Sequence, residues 1–156
     1  MLITPSSLAV LGGALALAGG LLGSSIGIAT AASAGTATLS EDRGQFRSVI
    51  VLASLPMTQS FYGLIVLIFI ITAIVPKLPE TGGAGFMVLG IGLMVAAAEC
   101  FSAIHQGNVC ASGISLLPKT KGQIFTHSMM LAVFVELLGV LGLVFAIMAF
   151  TMLGLM

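Results

Sequence analysis

Four long apolar stretches with almost no charge decide what this chain can fold into. They cover residues 8–34, 46–76, 85–117 and 124–155. Each is longer than the roughly 20 residues that an α-helix needs to cross a bilayer. The 156 residues include only five Lys or Arg and five Asp or Glu, whereas a soluble domain carries about a quarter charged residues. This excludes a soluble domain, a disordered chain and a basic surface for nucleic acid. We predict an all-α integral membrane protein with four transmembrane helices.

Three short segments rich in charge, Pro or Gly separate these stretches. They are residues 40–44, 76–83 and 118–122. Four of the five basic residues lie in or beside the first and third segments, and only Lys77 lies in the middle one. The positive-inside rule therefore places loops 36–45 and 118–123 in the cytoplasm and both termini outside. No Lys or Arg precedes the first apolar run, so a cleaved signal peptide is not expected. The continuous apolar runs also disfavour a β-barrel, whose strands alternate in polarity.

The second half of the chain repeats the first. Matches occur at a shift of 78 residues and, after one inserted residue, at a shift of 79; they include Ser24 with Ser102, Gly35 with Gly113, Gly63 with Gly142 and Ile68 with Ile147. We therefore expect residues 1–156 to form a single membrane domain. It would contain two helical hairpins in the same orientation, residues 1–78 and 79–156.

The two helices of each predicted hairpin differ in side-chain size. The first helix contains Gly19, Gly23 and Gly27 at four-residue spacing, a pattern that lets helices approach closely in lipid. The second and fourth stretches are rich in Leu, Ile, Val, Phe and Met. Narrow inner helices and wide outer helices would make a wedge, and wedges close into rings. A simple four-helix bundle is the alternative that the small residues also allow.

Three of the predicted helices carry oxygen-bearing side chains at one depth. Glu136 and Thr58 lie about 18 Å from the loop-side ends of their helices, and Gln106 lies about 16 Å away, at about 1.5 Å per residue. This depth is near the middle of a core roughly 30 Å thick. A carboxylate there is costly, so Glu136 is the leading candidate for a functional residue. Gln59 adjoins Thr58, and both share a helix face with Leu55 and Tyr62.

This set of groups favours a monovalent cation. Glu136 supplies one negative charge, and Thr58 and the two glutamines supply neutral oxygens. A divalent ion would usually recruit more carboxylates, and a transition metal would recruit His or Cys. His105 points about 100° away from its neighbour Gln106, so we do not count it as a ligand. The alternative is that these groups only join helices by hydrogen bonds.

Two features of the second stretch refine this prediction. Pro56 has no N–H, so it frees the carbonyl of Leu52 and loosens the turn at Leu55; such carbonyls coordinate sodium in transporters. In the repeat, Glu136 corresponds to Met57, and Gln106 corresponds to Ile28. We therefore expect one ion site per chain, built by helices two, three and four.

The clearest motifs of the chain lie in three segments. They are LPMTQSFYG at residues 55–63, FSAIHQGNVCASGI at 101–114 and VELLGVLGLV at 135–144. Together they resemble the proteolipid (subunit K, or c) of V-type and A-type rotary ATPases, and the chain looks like the sodium-translocating bacterial branch. The resemblance covers almost the whole chain. It implies a set of Na⁺ ligands with Tyr62 in support; the ligands are the Leu55 carbonyl, Thr58, Gln59, Gln106 and Glu136.

Two residues depart from the family pattern. Met57 stands where relatives often have Gly, and its larger side chain is expected to alter access to the site. Glu99 is a second carboxylate in the third stretch, which the family does not lead us to expect. It shares a face with Ser102 and Gln106. It is expected to be protonated and hydrogen-bonded or to face the interior of a ring, and a role in the ion path is the weaker possibility.

The resemblance also implies a mechanism and partners. A ring of identical chains would turn in the lipid of a bacterial or archaeal cell membrane, driven by ATP hydrolysis in a soluble head. Central-stalk subunits would dock on loops 36–45 and 118–123, and an Arg of a stator subunit would displace the ion from Glu136. The chain itself would have no catalytic residue. One alternative keeps the rotor and replaces Na⁺ with H⁺; others are a small four-helix carrier or channel and a structural membrane adaptor.

Overall fold

The computed structural model describes residues 4–156, and this part of the chain contains helices and turns but no strand. Four helical spans are long and apolar enough to cross a membrane; they are Pro5–Glu41, Arg43–Lys77, Ala84–Leu116 and Phe125–Met152. The first is helix α1, and the last two are helices α4 and α5. The prediction of an all-α chain with four membrane-spanning helices is confirmed.

Helix α1 extends further at both ends than the predicted stretch of residues 8–34. It begins at Pro5, with the Thr4 side chain capping the first turn, and ends at Glu41. The expected loop 36–45 is therefore mostly helix. The buried Thr38 hydroxyl donates a hydrogen bond to the Ile114 carbonyl on α4 over 3.0 Å. This contact holds the end of α1 against its neighbour and leaves only a short turn before the second span.

The second span is one rod with local changes of helix type. It contains α2 (Phe46–Ser54), a 3₁₀ turn (Leu55–Met57), α3 (Thr58–Phe69) and a π-helical turn (Ile70–Ile74). The 3₁₀ turn includes Pro56, which cannot donate the backbone hydrogen bond that an α-helix requires. A loosened turn was predicted at this position, and the span instead contains a tighter 3₁₀ turn.

Helices α1 and α4 run parallel and form the inner layer. Their backbones meet at glycines spaced along α1: a Cβ atom at Gly19 would overlap the backbone of Ala96, and one at Gly23 would overlap that of Cys100. Only glycine allows this approach, as the small-residue pattern predicted. The second span and α5 pack outside this pair. They expose bulky side chains such as Phe61 and Phe134, a surface suited to lipid or to neighbouring chains.

The core is divided into two apolar clusters with a polar layer between them. One cluster, near the chain termini, includes Ala16, Val66, Val95 and Phe150. The other, near the first and third connections between the spans, includes Ala31, Leu52, Ile114 and Ala132. Polar side chains are buried between them; these are Ser24, Gln59, Glu99, Ser102 and Gln106. The fold therefore concentrates these polar groups at one level across three helices, α1, α3 and α4.

Candidate functional site

The half-buried carboxylate of Glu136 is held by donors from two other helices. The Tyr62 hydroxyl on α3 donates to Oε1 over 3.0 Å. The Gln106 amide Nε2 on α4 donates to Oε2 over 3.2 Å. Each oxygen thus has one neutral donor, which stabilises a carboxylate by charge-assisted hydrogen bonds. The predicted supporting contact between Tyr62 and Glu136 is present in the structure.

A second layer of hydrogen bonds orients the two glutamine side chains, both fully buried. The Gln59 Nε2 atom donates to Gln106 Oε1 over 2.9 Å and to Ser102 Oγ over 3.1 Å. The Ser102 hydroxyl in turn donates to the Val135 carbonyl on α5 over 2.9 Å. Each amide is therefore fixed from two sides, and the network connects α3, α4 and α5.

The 3₁₀ turn brings two more oxygens to the network. The Thr58 hydroxyl lies 3.1 Å from the Leu55 carbonyl and 3.2 Å from Gln59 Oε1, so its single proton can serve either acceptor. The Thr58 backbone N–H also bonds the Leu55 carbonyl. Pro56 is buried beside Gly27 and shapes the turn without offering a side-chain ligand. Leu55 and Thr58 thus lie at one edge of the same cluster.

The structure brings all five predicted ligand residues into one cluster. Their depth in the helices followed from residue number, and hydrogen bonds join them in series from the Leu55 carbonyl through Thr58, Gln59 and Gln106 to Glu136. Two residues that were not counted as ligands lie elsewhere. His105 is exposed and lines an apolar groove on the outer surface, and Met57 lines a second such groove near Ser60.

Ser102 is the residue that sequence reasoning left out of the site. It bridges Gln59 to the backbone of α5 through two hydrogen bonds. Its position four residues before Gln106 was a usable signal, because residues at this spacing share a helix face. Its repeat counterpart, Ser24, is also buried, but the Ser24 hydroxyl has no hydrogen-bond partner among the described residues. The two halves thus use equivalent serines differently.

Glu99 lies in the same polar layer without joining the network. It is fully buried, and neither carboxyl oxygen has a hydrogen-bond partner within residues 4–156. It faces Gly139 and Gly142 of α5. The expected hydrogen bond is therefore absent from this part of the chain, and the expectation that Glu99 faces the interior of a ring is wrong, because α5 covers it.

The surroundings of the cluster are neutral. The basic side chains of the chain are Arg43, Arg47, Lys77, Lys119 and Lys121, and they lie in the loops or at the ends of the spans. No group of three or more His, Cys, Asp or Glu converges anywhere in the described residues. A single carboxylate is thus surrounded by amide, hydroxyl and carbonyl groups. Such an arrangement can hold a small cation or a proton while keeping its total charge near zero.

Comparison with known proteins gives consistent matches. The family model for the C subunit of ATP synthase matches residues 11–70 and 89–149. The V-type sodium ATPase subunit K of Enterococcus hirae is 32% identical over 123 residues, which cover 79% of this chain and 77% of that protein. The A-type ATP synthase subunit K of Methanocaldococcus jannaschii is 29% identical over 147 residues, 94% of this chain but only 63% of that protein. The chain belongs to the family of the ATP synthase C subunit, as a proteolipid subunit of a rotary ATPase.

Proposed function

We propose that this chain forms the membrane rotor ring of a V-type or A-type ATPase and carries Na⁺ across the membrane at Glu136. The observation that supports this most strongly is the continuous cluster of Glu136, Gln106, Gln59 and Thr58. It combines one negative charge with several neutral oxygens at mid-membrane depth. The relative from Enterococcus hirae is named as a sodium ATPase subunit, which agrees with this choice of ion.

The two glutamines can serve both the empty and the loaded site. Gln106 donates to Glu136 through Nε2 while its Oε1 accepts from Gln59. An amide carries donors on one side and an acceptor on the other. Rotation of its terminal group therefore exchanges a donor to the carboxylate for an oxygen ligand to a cation. A proton carrier needs only the carboxyl group and one acceptor, so it leaves Thr58 and Gln59 without a role.

Neutralisation of Glu136 is what makes rotation through lipid possible. An isolated carboxylate in hydrocarbon is too costly to move there. Bound Na⁺ cancels its charge, and an Arg from a stator subunit would cancel it when the ion leaves. Each chain would carry one ion, because Met57 and Ile28 replace Glu136 and Gln106 in the first half. ATP hydrolysis would occur in other subunits.

The charges at the loops suggest how the ring is oriented. The turns beside Arg43 and Lys119 carry most of the basic residues, so we place them in the cytoplasm and both termini outside. These turns would contact central-stalk subunits. The family and its relatives suit the cell membrane of a bacterium or archaeon. Residues 1–78 and 79–156 would act as two hairpins of one membrane domain.

Labelling with a hydrophobic carbodiimide tests whether Glu136 binds Na⁺. This reagent modifies a protonated carboxyl group, so bound Na⁺ should protect Glu136 from labelling. Thr58→Val removes one neutral oxygen. If that oxygen contributes about 1.5–3 kcal/mol, like a hydrogen bond to a charged group, the sodium concentration for half-protection should rise roughly ten- to hundredfold.

Thr72→Val is the matched control. The Thr72 hydroxyl bonds the Ile68 carbonyl of its own helix and is exposed, so its loss should leave protection unchanged. Labelling of Glu136 itself that ignores Na⁺ at every pH in the unsubstituted protein would contradict the sodium site and favour the proton alternative. A small oligomer in mild detergent, instead of a large ring, would favour a carrier, a channel or an adaptor.

A further inference from the structure

Glu99 is a buried acid that the ion site does not use. Its side chain has no exposed surface, and both carboxyl oxygens lack hydrogen-bond partners among residues 4–156. Glu136, by contrast, accepts one hydrogen bond on each oxygen. The two acids of the membrane region therefore have different surroundings, and Glu99 needs its own explanation.

The carboxyl group of Glu99 lies in a slot formed by two glycines of α5. A Cβ atom at Gly139 would lie 2.7 Å from Glu99 Oε2, and one at Gly142 would lie 3.5 Å from Oε1. In the repeat, Gly139 corresponds to Ser60 at a shift of 79, and Glu99 corresponds to Leu21 at a shift of 78. Leu21 is 52% exposed. Gly142 does have a glycine counterpart, Gly63, so the features confined to the second half are Glu99 and the Gly139 that contacts it.

No positively charged side chain in the described structure can neutralise Glu99. Helix α1 has no titratable residue before Glu41. The titratable groups on the other helices packed around the acid are Tyr62 on α3, Glu136 and the more distant His127 on α5, and Cys100, His105 and Cys110 on α4. Of these, the two histidines alone can carry a positive charge, and His105 is exposed on the outer surface. A bare carboxylate in such a site is far too costly to persist, so it must hold a cation of its own.

The chemistry of the slot selects a proton. A Cβ atom on Gly139, which would lie 2.7 Å from Glu99 Oε2, would also lie 3.3 Å from Ser102 Oγ. The Ser102 hydroxyl, however, already donates to the Val135 carbonyl and accepts from Gln59. Too few free oxygens remain for a metal ion. We propose that Glu99 is a second cation-binding site in the chain, and that it holds a resident proton while the ion at Glu136 is exchanged. This inference does not depend on which ion Glu136 carries.

Infrared spectroscopy of the purified full-length assembly tests this directly. The sample is kept in saturating Na⁺, in a detergent without ester groups, at a pH where exposed carboxyl groups are ionised. The carbonyl stretch of a protonated carboxylic acid should then be present. It should vanish in Glu99→Gln and persist in Glu136→Gln. Its absence from the unsubstituted protein, or an intensity that Glu99→Gln leaves unchanged, would overturn the proposal.

A second measurement covers the case in which Glu99→Gln does not assemble. The other acids outside the site, Glu41, Asp42 and Glu80, are exposed or half-buried near the loops. In the unsubstituted protein labelled with ¹³C-glutamate, an isotope-shifted acid band should therefore remain in saturating Na⁺. The absence of this shifted band would overturn the proposal that Glu99 is protonated. An additional band that Na⁺ fails to remove, and that Glu136→Gln abolishes, would contradict sodium binding without affecting Glu99.

Discussion

The contact between Gly139 and Glu99 gives the sharpest test of how α4 and α5 pack. In Gly139→Ala the new methyl group would lie 2.7 Å from Glu99 Oε2 and 3.3 Å from both Ser102 Oγ and Gln59 Cγ. A distance below 3.0 Å forces a displacement, and although Oε2 is the end of a flexible side chain, the complete burial of Glu99 restricts its movement. Overpacking of this kind costs about 1–3 kcal/mol. Replacement of a helical Gly by Ala itself favours folding by about 0.5–1 kcal/mol, so we expect Gly139→Ala to lower the free energy of unfolding in detergent micelles by a net amount of about 0–2.5 kcal/mol.

The double variant Glu99→Ala/Gly139→Ala separates this contact from other effects. Removal of the Glu99 carboxyl group should relieve most of the penalty, giving a coupling free energy of about 1–3 kcal/mol in a double-mutant cycle. In Glu99→Gln/Gly139→Ala the overpacking penalty should remain, because Gln has nearly the same size as Glu. Denaturant titration followed by circular dichroism measures all of these variants.

Gly90→Ala is the matched control for helix propensity. Gly90 is an exposed position of α4 where a Cβ atom would meet nothing within 4 Å. Replacement of a helical Gly by Ala there should be neutral or stabilise the protein by about 0.5–1 kcal/mol. If Gly139→Ala costs as much in the Glu99→Ala background as it does beside the native acid, the proposed packing of the acid against α5 is refuted.

Three further predictions concern the site and the inner layer. Ser102→Ala should lower the free energy of unfolding by about 1 kcal/mol, because Gln59 loses an acceptor. Ser24→Ala removes an unpaired hydroxyl and should not destabilise the protein. Denaturant titration compares the two variants. Pro56→Ala supplies an N–H that can bond the Leu52 carbonyl and convert the 3₁₀ turn into α-helix, which moves the Leu55 carbonyl. Half-protection of Glu136 from carbodiimide should then need roughly tenfold more sodium, with unchanged circular dichroism. Gly19→Leu should abolish the assembled ring on size-exclusion chromatography, because the backbone of α4 fills the space that Leu needs.

The fold was predictable because hydrophobicity dominates each span. Continuous apolar runs determine the number of helices, and the small residues at Gly19 and Gly23 indicate which helix lies inside. The ends of α1 were less predictable. Thr38 and its neighbours are polar and resemble a loop, but the Thr38 hydroxyl bonds α4 and keeps the helix intact. Such a tertiary contact leaves no local signal in the sequence.

The proximity of these polar side chains was predictable from depth and spacing, but their hydrogen-bond partners were not. Depth along a helix depends only on residue number, so Gln106 and Glu136 could be placed at one level. Which amide atom faces which neighbour depends on helix rotation and crossing, and these follow from packing across the whole bundle. The bridging role of Ser102 and the enclosure of Glu99 both depend on the position of α5, so sequence spacing alone could not supply them.

The two halves of the chain share a scaffold but not its chemistry, and this difference bears on the coupling ratio of the rotor. The first half keeps the buried Ser24 and the close helix packing at Gly63. Met57, which replaces the acid, is 46% exposed in an apolar groove. If the first half contributes no site, four helices carry one ion, and a ring of given circumference moves fewer ions per turn. Each turn, driven by ATP hydrolysis, could then move each ion against a steeper gradient. Measurement of bound sodium per chain, expected to be one, tests the premise that the first half contributes no site.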